Sequence, residues 1–337
     1  MTPSVVHLIV GPGQHGVVRF GVELQAALDA GGVVTVPHRA SDAAGVLDAI
    51  PAGLGVHLQF TDRLFGADAR QAVDAVRTLT AGVHRGGGRV TATLHDLPQP
   101  TDRANYAVRS QAYAALSELL DGIVVSSDHE RLLLRDIGID VPVTVVPLPI
   151  AAPAVDRSTP PAPPSVAVFG FVYPDKGHSD VLEAMRGLPP QVRMMAIGEA
   201  SAGHDDLIDG LARLANAQDR PFVVTGHVPD DQVVGQLQAV TVPVVHHRHV
   251  SASGSLNSWI SAGRRPLVPA TRYACEMTDR NPGALNLFAD EPGALSAAIR
   301  AALDDPSSTW IAPGTVCSPT PRQAADGYRR LLAEVHR

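Results

Sequence analysis

The sequence of 337 residues has few cysteines, few aromatic residues and no cluster of positive charge. Its two cysteines, Cys275 and Cys317, form neither a Cys-x-x-Cys pair nor a disulfide framework, so we expect two free thiols in a reducing compartment. The net charge is −7 and the basic residues are scattered. Because nucleic acids and anionic membranes are bound by clustered cations, the sequence argues against both as partners.

Long apolar runs are also missing. No stretch approaches the roughly 20 apolar residues that a helix needs to span a bilayer. The N-terminal segment, MTPSVVHLIVGPG, lacks the charged region and the apolar core of a secretory signal peptide. These absences predict a cytoplasmic protein without stable membrane insertion.

The sequence does have a regular alternation of apolar strands and helices. Its 45% hydrophobic and 4% aromatic content fits an Ala/Val/Gly-rich α/β protein. The pattern predicts strands over 5–10, 33–36, 55–60, 90–94, 122–125, 143–146, 166–169, 192–197, 222–225, 241–245, 267–269 and 285–288. It predicts helices between them, among others over 18–30, 67–82, 102–120, 257–262 and 322–335. Such alternation is typical of parallel sheets with helices on both faces.

A proline cluster, PLPIAAPAVDRSTPPAPP, separates the two halves. Proline at this density disfavours helices and central strands and makes a stiff, extended connector. We therefore predict a doubly wound, Rossmann-like domain over 1–148, a linker over 149–164 and a second Rossmann-like domain over 165–320. A C-terminal helix over 321–337 is expected to pack back on the first domain. Ligands of two such domains are expected in a cleft between them, at the carboxyl ends of the strands.

The segment SVAVFGFVYPDKGHSDVLEA, residues 165–184, predicts an anion site. A buried strand ends at Gly170, and a loop leads through Lys176 to a helix capped by Ser179 or Asp180. The start of a helix offers unpaired N–H groups and partial positive charge, and Lys176 adds a full charge. The pattern suits a phosphate. An ordinary strand-to-helix loop with a solvated lysine fits the local sequence equally well.

A second segment, SASGSL, indicates another phosphate site at the start of the predicted helix over 257–262. Ser253, Gly254 and Ser255 form a small, hydroxyl-rich helix start whose N–H groups can surround a diphosphate. Simple capping of the helix by serine is the alternative. Two such segments in one half favour a nucleoside diphosphate as the ligand.

The glycine loop GPGQHG, residues 11–16, matches the spacing of a dinucleotide-binding fingerprint after a strand. The second strand is followed by Pro37-His38-Arg39 instead of the acidic residue that NAD requires, so an NADP enzyme remains an alternative. A P-loop is excluded because Val17 follows Gly16. The other interpretation is a loop whose N–H groups approach a phosphate or a sugar, with Gly16 nearest to it.

Histidines follow several of the predicted strands. His95 and Asp96 end the fourth strand, where a histidine can bind a sugar hydroxyl or act on a leaving group, although a structural His–Asp pair fits as well. His57 is expected in the equivalent place one strand over, lining the acceptor side or serving a structural role. The run 246–249, His-His-Arg-His, offers only alternate residues to one face of a strand. We therefore expect a cationic rim there and no metal site.

The order and spacing of these segments resemble the family-4 retaining glycosyltransferases of the GT-B fold over nearly the whole chain. In the first half the resemblance rests on the glycine loop, TLHDL, VVSSDHERLLL and VTVVPLPI. In the second half it rests on FGFVYPDKG, MMAIGEA, VTGHVPDDQ and SASGSLNSWISAGRRPLV. The resemblance implies that 1–148 binds the acceptor and that 165–320 binds a nucleotide-sugar.

The resemblance also implies roles for single residues. Lys176 is expected to hold the diphosphate and His95 to contact the donor sugar, which makes these two the catalytic residues. The implied donor site comprises Gly16, Gly170, Phe171, Lys176, Gly198, Gly226, His227, Val228, Arg248, Ser253, Gly254, Ser255, Leu256 and Asn257. The implied acceptor site comprises Gln14, His15, His57 and Asp96. The scheme requires no protein nucleophile, no metal and no bound cofactor beyond the donor.

Two positions depart from the family pattern. Phe171 stands where the family has an arginine after the phosphate-loop glycine. The family's paired glutamates, eight residues apart, fall near Ser251 and Trp259, neither of which is acidic. Arg248 and Asn257 are the expected substitutes.

The expected reaction is transfer of a hexose, with mannose from GDP-mannose favoured, to a soluble sugar or oligosaccharide. The preference for GDP-mannose reflects a similarity in length and composition to cytosolic mannosyltransferases that extend methylated mannose polysaccharides. The alternatives are a glucosyltransferase using UDP- or ADP-glucose, a GT-B nucleotide-sugar epimerase, an NADP oxidoreductase and a non-catalytic nucleotide-sugar binder. A homodimer is compatible with the sequence.

Overall fold

The computed structural model describes residues 5–29, 35–40 (backbone only), 50, 52–156, 163–201 and 203–336. The chain divides into two compact units. Unit 1 comprises Met1–Pro149 and Pro319–Arg337, and unit 2 comprises Ile150–Ser318. In the described part of the chain, no helix is both long and apolar enough to cross a membrane.

Unit 1 is built on a parallel six-stranded sheet with the order β2-β1-β3-β4-β5-β6. The strands are β1 (Val5–Val10), β2 (Thr35–Ala40), β3 (Gly55–Phe60), β4 (Val90–Leu94), β5 (Gly122–Val125) and β6 (Val143–Val145). All residues of β1, β3 and β4 are buried, as expected for a parallel sheet covered on both faces. The predicted second strand began at 33, which lies outside the described residues.

The helices of unit 1 are α1 (Gly16–Asp29), α2 (Asp62–Phe65), α3 (Ala69–Arg85), α4 (Tyr106–Ser117), α5 (Asp128–Asp136) and α12 (Pro321–Val335). Their starts have ordinary capping chemistry: Asp68 accepts hydrogen bonds from two N–H groups of α3, and Ser127 accepts one from Glu130 of α5. A capping box formed by Thr320 and Gln323 starts α12.

The C-terminal helix α12 packs on unit 1. Tyr328 is fully buried against Leu24, Leu28 and Val124 in one apolar cluster. Its hydroxyl lies 2.9 Å from Thr93 Oγ1 of β4. The last 19 residues of the chain are thereby part of the first unit, although 169 residues of unit 2 precede them.

Unit 2 contains a parallel four-stranded sheet with the order β10-β7-β8-β9 and a parallel pair, β11-β12. The strands are β7 (Ser165–Phe169), β8 (Arg193–Ile197), β9 (Phe222–Val224), β10 (Val242–Pro243), β11 (Leu267–Pro269) and β12 (Asn286–Phe288). A bridge between Val244 and Leu267 joins the two sheets. The helices are α6 (His178–Ala184), α7 (Asp205–Asn216), α8 (Asp230–Gln238), α9 (Gly254–Ser261), α10 (Arg272–Arg280) and α11 (Ala294–Asp304).

The predicted linker is in large part not a free connector. Ile150 is 1% exposed in the apolar core of unit 2. The Ala151 N–H donates to Ser261 Oγ (3.1 Å), the Ala154 N–H donates to the Ser261 carbonyl (2.9 Å), and the Ala154 carbonyl accepts from Gln238 Nε2 (2.6 Å). Residues 150–156 therefore belong to unit 2, and 157–162 lie outside the described residues. Residues 150–156 form neither helix nor strand, as the prolines predict, but the buried Ile150 and the hydrogen bonds to Ser261 and Gln238 attach them to unit 2.

Candidate functional site

The carboxyl ends of β7 and β8 in unit 2 meet through two glycines. Gly170 and Gly198 have φ of +108° and +142°, values that favour glycine. A Cβ on Gly198 would collide with the Gly170 carbonyl oxygen, and the Gly170 N–H donates to the Ile197 carbonyl (2.9 Å). Gly177, at φ +86°, likewise leaves no room for a Cβ beside the His246 carbonyl. The glycines thus keep the backbone of these loops close together.

Lys176 lies in this loop and is the only lysine of the sequence. Its side chain is 6% exposed, and Nζ donates to Ser255 Oγ at 2.9 Å. Nζ also lies 5.8 Å from the centre of the Tyr173 ring. Among the described residues no carboxylate pairs with it, and burial lowers the pKa of Lys176 to about 7. A buried amine without an acidic partner is costly in the free protein, and an anion beside it would lower that cost.

Ser255 stands in the first turn of α9, so the amine of Lys176 lies beside a helix start. Ser253 caps this helix, accepting from the Leu256 N–H at 3.2 Å, and its own N–H donates to the Tyr273 hydroxyl at 3.1 Å. Gly254 is exposed and has no heavy atom within 4 Å of an added Cβ. The sequence predicted separate phosphate sites at Lys176 and at 253–256; in the structure the two segments are in contact through the hydrogen bond between Lys176 and Ser255.

Two histidines near Lys176, His178 and His247, have lowered pKa values. Burial lowers the pKa of His178 to about 3 and that of His247, whose Nε2 lies 3.5 Å from Ser255 Oγ, well below its ordinary value. Arg248 is held by Asp180, with Nε donating to Oδ2 at 2.7 Å and Nη2 to Oδ1. The prediction that His247 adds positive charge to a rim is therefore wrong. The charge of Arg248 is paired with the Asp180 carboxylate.

A third group of predicted residues follows β9. The Thr225 hydroxyl accepts from the Gly198 N–H (3.0 Å) and donates to the Gly226 carbonyl (2.9 Å). His227 is exposed and Val228 is partly buried. Thr225, predicted as the last residue of a strand, therefore links the loops after β8 and β9.

The positions that depart from the family pattern differ in accessibility. Phe171 is 37% exposed in the loop after β7 and can reach a ligand. Asn257 is 6% exposed in the first turn of α9, whereas Trp259 is fully buried in the core. Leu256, predicted to contribute its N–H, uses it to bond the capping Ser253.

In unit 1 the glycine loop begins α1. Gly16 is its first residue, exposed and with no heavy atom within 4 Å of an added Cβ. His15 caps the helix, since its Nδ1 accepts from the Val17 N–H at 3.2 Å. Gln14 is exposed. The loop thus offers an accessible helix start, two residues before the predicted one, with His15 beside it.

His95 follows β4 and is 8% exposed. Its Nε2 lies 2.9 Å from Gln59 Oε1. Its ring and that of Phe20 form a T-shaped pair with their centres 5.6 Å apart. Burial lowers the pKa of His95 to about 3, so the ring is neutral. His15 lies in the loop after β1 and His95 directly after β4, two strands of the same parallel sheet. The structure therefore places His15 and His95 at the same end of the sheet.

Asp96 adopts a left-handed backbone conformation, with φ of +52°. Arg109 of α4, 8% exposed, donates to the Asp96 carbonyl at 2.6 Å and to its carboxylate at 3.3 Å. Arg109 also pairs with Asp62 (2.9 Å) and Asp102 (2.6 Å). Arg109 could not be singled out from sequence alone, because its three carboxylates come from separate segments.

His57 does not line a site, which corrects the acceptor role expected for it. It is the third residue of the six in β3 and is 1% exposed. Its Nδ1 lies 2.9 Å from Thr91 Oγ1 and its Nε2 lies 3.0 Å from Thr93 Oγ1. Because both ring nitrogens are occupied inside the sheet, His57 is a structural residue.

This architecture is similar to that of several proteins of known structure. No protein-family model matches the chain, and no curated protein matches it in sequence. Among solved structures, Anabaena HepE in complex with UDP-glucose is similar over 99% of this chain and 95% of its own, with a TM-score of 0.70 and 12% identity. Sucrose-phosphate synthase from Thermosynechococcus elongatus is similar over the same shares, with a TM-score of 0.69 and 16% identity. The chain has the GT-B fold.

A further GT-B structure is similar over part of its length. The pneumococcal O-GlcNAc transferase GtfA, solved with UDP and GlcNAc, covers 87% of this chain at a TM-score of 0.59 and 13% identity, and this chain covers 59% of GtfA. These structural neighbours are GT-B glycosyltransferases. At such identities the likeness establishes the GT-B fold, and the chemistry must be argued from the residues of the site.

Proposed function

We propose that this protein is a glycosyltransferase that binds a nucleotide-sugar through unit 2 and transfers its hexose to a soluble carbohydrate. The observation that carries the proposal is Lys176: the only lysine of the chain is buried, lacks a carboxylate partner among the described residues, and lies beside the start of α9. A diphosphate would supply the negative charge that this amine and this helix start both favour.

The same contacts would assist the chemical step. The bond between the anomeric carbon and the β-phosphate oxygen breaks, and a bond from that carbon to the acceptor oxygen forms. The resemblance to family-4 enzymes implies retention of configuration, with the leaving phosphate accepting the proton of the acceptor hydroxyl. The charge that develops on the diphosphate would then be stabilised by Lys176 and by the N–H groups of Gly254 and Ser255.

The residues of unit 1 that fit a carbohydrate are those at the carboxyl end of its sheet. His95 is neutral and can bind a hydroxyl, and Gln14 and His15 lie in the exposed loop that starts α1. Asp96 offers a carboxylate that is 37% exposed despite its bond to Arg109. We assign these groups to the sugar-binding side of the reaction.

The donor favoured by the sequence is GDP-mannose. UDP-glucose is the second candidate because HepE, a structure with the same fold, was solved with UDP-glucose. A thermal-shift series with GDP, UDP, ADP, their mannose and glucose conjugates, and NADP separates the candidates, since a ligand of the folded state raises stability with ln(1 + [L]/Kd). Stabilisation by NADP alone would refute the proposal in favour of an oxidoreductase.

The decisive variant is Lys176→Met, which keeps the length of the side chain and removes its charge. We expect turnover to fall by at least about 100-fold, the scale of losing one transition-state donor. Arg248→Ala is the matched control: it removes a nearby cation that Asp180 already neutralises, so turnover should change less than about threefold. Near-normal turnover of Lys176→Met, measured with the donor that the thermal-shift series identifies, would contradict the assignment.

A further inference from the structure

Three buried side chains of unit 1 form a continuous hydrogen-bonded row: His7 of β1, Gln59 of β3 and His95 after β4. Gln59 Nε2 lies 2.8 Å from His7 Nε2, and Gln59 Oε1 lies 2.9 Å from His95 Nε2. His7 and Gln59 are each 1% exposed. The row therefore leads from the interior of the sheet to the one member, His95, that borders the carboxyl end.

The amide of Gln59 can donate only from nitrogen and accept only at oxygen. Both imidazoles are neutral at pH 7, because burial lowers the pKa of His7 to about 4 and that of His95 to about 3. Each neutral ring carries one proton. The oxygen facing His95 requires that proton on Nε2, and the amide nitrogen facing His7 requires an unprotonated Nε2 there. In this amide orientation Gln59 favours a proton on Nε2 of His95 and on Nδ1 of His7, which has no hydrogen-bond partner among the described residues.

The consequence concerns the other nitrogen of His95. With the proton on Nε2, Nδ1 carries a lone pair and can only accept a hydrogen bond. Among the described residues no group donates to Nδ1 of His95. The ring is also restrained by Phe20, whose ring meets it at an interplanar angle of 72°.

We propose that Gln59 is a positioning residue that holds His95 in the Nε2–H tautomer, so that Nδ1 accepts a hydrogen bond from a hydroxyl of the bound carbohydrate. The inference rests on the proposed function for the identity of the ligand. The tautomer itself does not depend on it. A protonated Nδ1 would donate a hydrogen bond and would suit a phosphate or carboxylate. An unprotonated Nδ1 accepts a hydrogen bond and therefore suits a hydroxyl group.

The first test is ¹⁵N NMR of the full chain with ¹⁵N-labelled histidine at pH 7, which distinguishes protonated from unprotonated ring nitrogens. The resonances of His95 are assigned by their loss in His95→Asn. We expect an unprotonated Nδ1 and a protonated Nε2 in the wild type. In Gln59→Leu the Nε2 proton loses its acceptor, and we expect exchange between ring states. A protonated Nδ1 in the wild type would overturn the proposal without any activity measurement.

The second test separates positioning from folding. His95→Asn places an amide where Nδ1 stood and can offer its oxygen as acceptor, whereas His95→Gln places its amide near the Nε2 position. We expect kcat/KM to fall about tenfold or less in His95→Asn, the range of one neutral hydrogen bond, and clearly further in His95→Gln. Equal losses in both variants, at unchanged thermal stability, would contradict an acceptor role for Nδ1. If the wild type shows no transfer with any donor, the proposed function fails while the NMR result stands.

Discussion

Binding of a nucleoside diphosphate should deliver a proton to Lys176. In the free protein, burial lowers its pKa to about 7, so the amine is about half protonated at pH 7. A bound diphosphate favours the charged form and raises the pKa toward its ordinary value of about 10.4. Binding at pH 7 should therefore take up about 0.5 proton at this residue.

The pH dependence follows from the direction of the shift. Because binding raises the pKa, affinity is fully developed below the free-state value and declines as pH rises through 7. The proton uptake that accompanies binding should increase to about 0.9 proton at pH 8. The Kd for the diphosphate should rise about fivefold between pH 7 and pH 8. Above pH 8 the loss should approach about tenfold per pH unit until the bound-state pKa is reached.

Isothermal titration in buffers of different ionisation enthalpy measures this uptake directly. Lys176→Met is the control, because the second ionisation of the phosphate itself, near about pH 6, contributes equally in both proteins. As Lys176 is the only lysine, reductive ¹³C-methylation would also give a single side-chain NMR signal, apart from the terminal amine, that reports its titration. Equal proton uptake by wild type and Lys176→Met would refute the reasoning.

Two further predictions concern stability and can be checked by thermal and denaturant unfolding. Lys176→Met should stabilise the ligand-free protein at pH 7, by about 4 kcal/mol as an upper limit, since an amine with a folded-state pKa near 7 opposes folding until pH exceeds its unfolded-state value; a destabilised variant would show that the amine has a negatively charged partner. Gly198→Ala should cost more than about 1 kcal/mol and weaken nucleotide binding, because φ is +142° and the added Cβ meets the Gly170 carbonyl. Gly254→Ala, with open space around the added Cβ, should be tolerated, and equal losses in the two glycine variants would argue against a constrained loop.

Much of the fold could be predicted from local pattern. The strands β1, β3, β4, β5 and β11 have the predicted bounds, because buried parallel strands are short apolar runs bounded by glycine, proline and polar residues. Helix ends were less accurate: α4 covers Tyr106–Ser117 and not 102–120, since a 3-10 turn over Pro100–Asn105 precedes it. The proline segment was taken for a free spacer, and only the burial of Ile150 reveals that it belongs to unit 2.

The candidate site was predictable where its chemistry is local. Lys176, Gly170 and Ser253 lie in motifs in which a strand, a glycine or a helix start follow one another in the sequence, and the anion site was predicted from that local pattern. The roles of His57 and Arg248 were not predictable, because their partners lie elsewhere: His57 is bonded to Thr91 and Thr93, and Arg248 is bonded to Asp180, 68 residues away in the chain.

The sequence by itself determined the alternation of strands and helices and the glycine-rich loops that end them, since both are set by residues within a few positions of one another. Only the tertiary structure decided which side chains act together. Lys176 meets Ser255 across 79 positions, Gln59 meets His95 across 36, and Thr93 meets Tyr328 across 235. Such pairs leave no periodic trace in the sequence, because they form only when parallel strands are brought side by side and helices pack on the sheet.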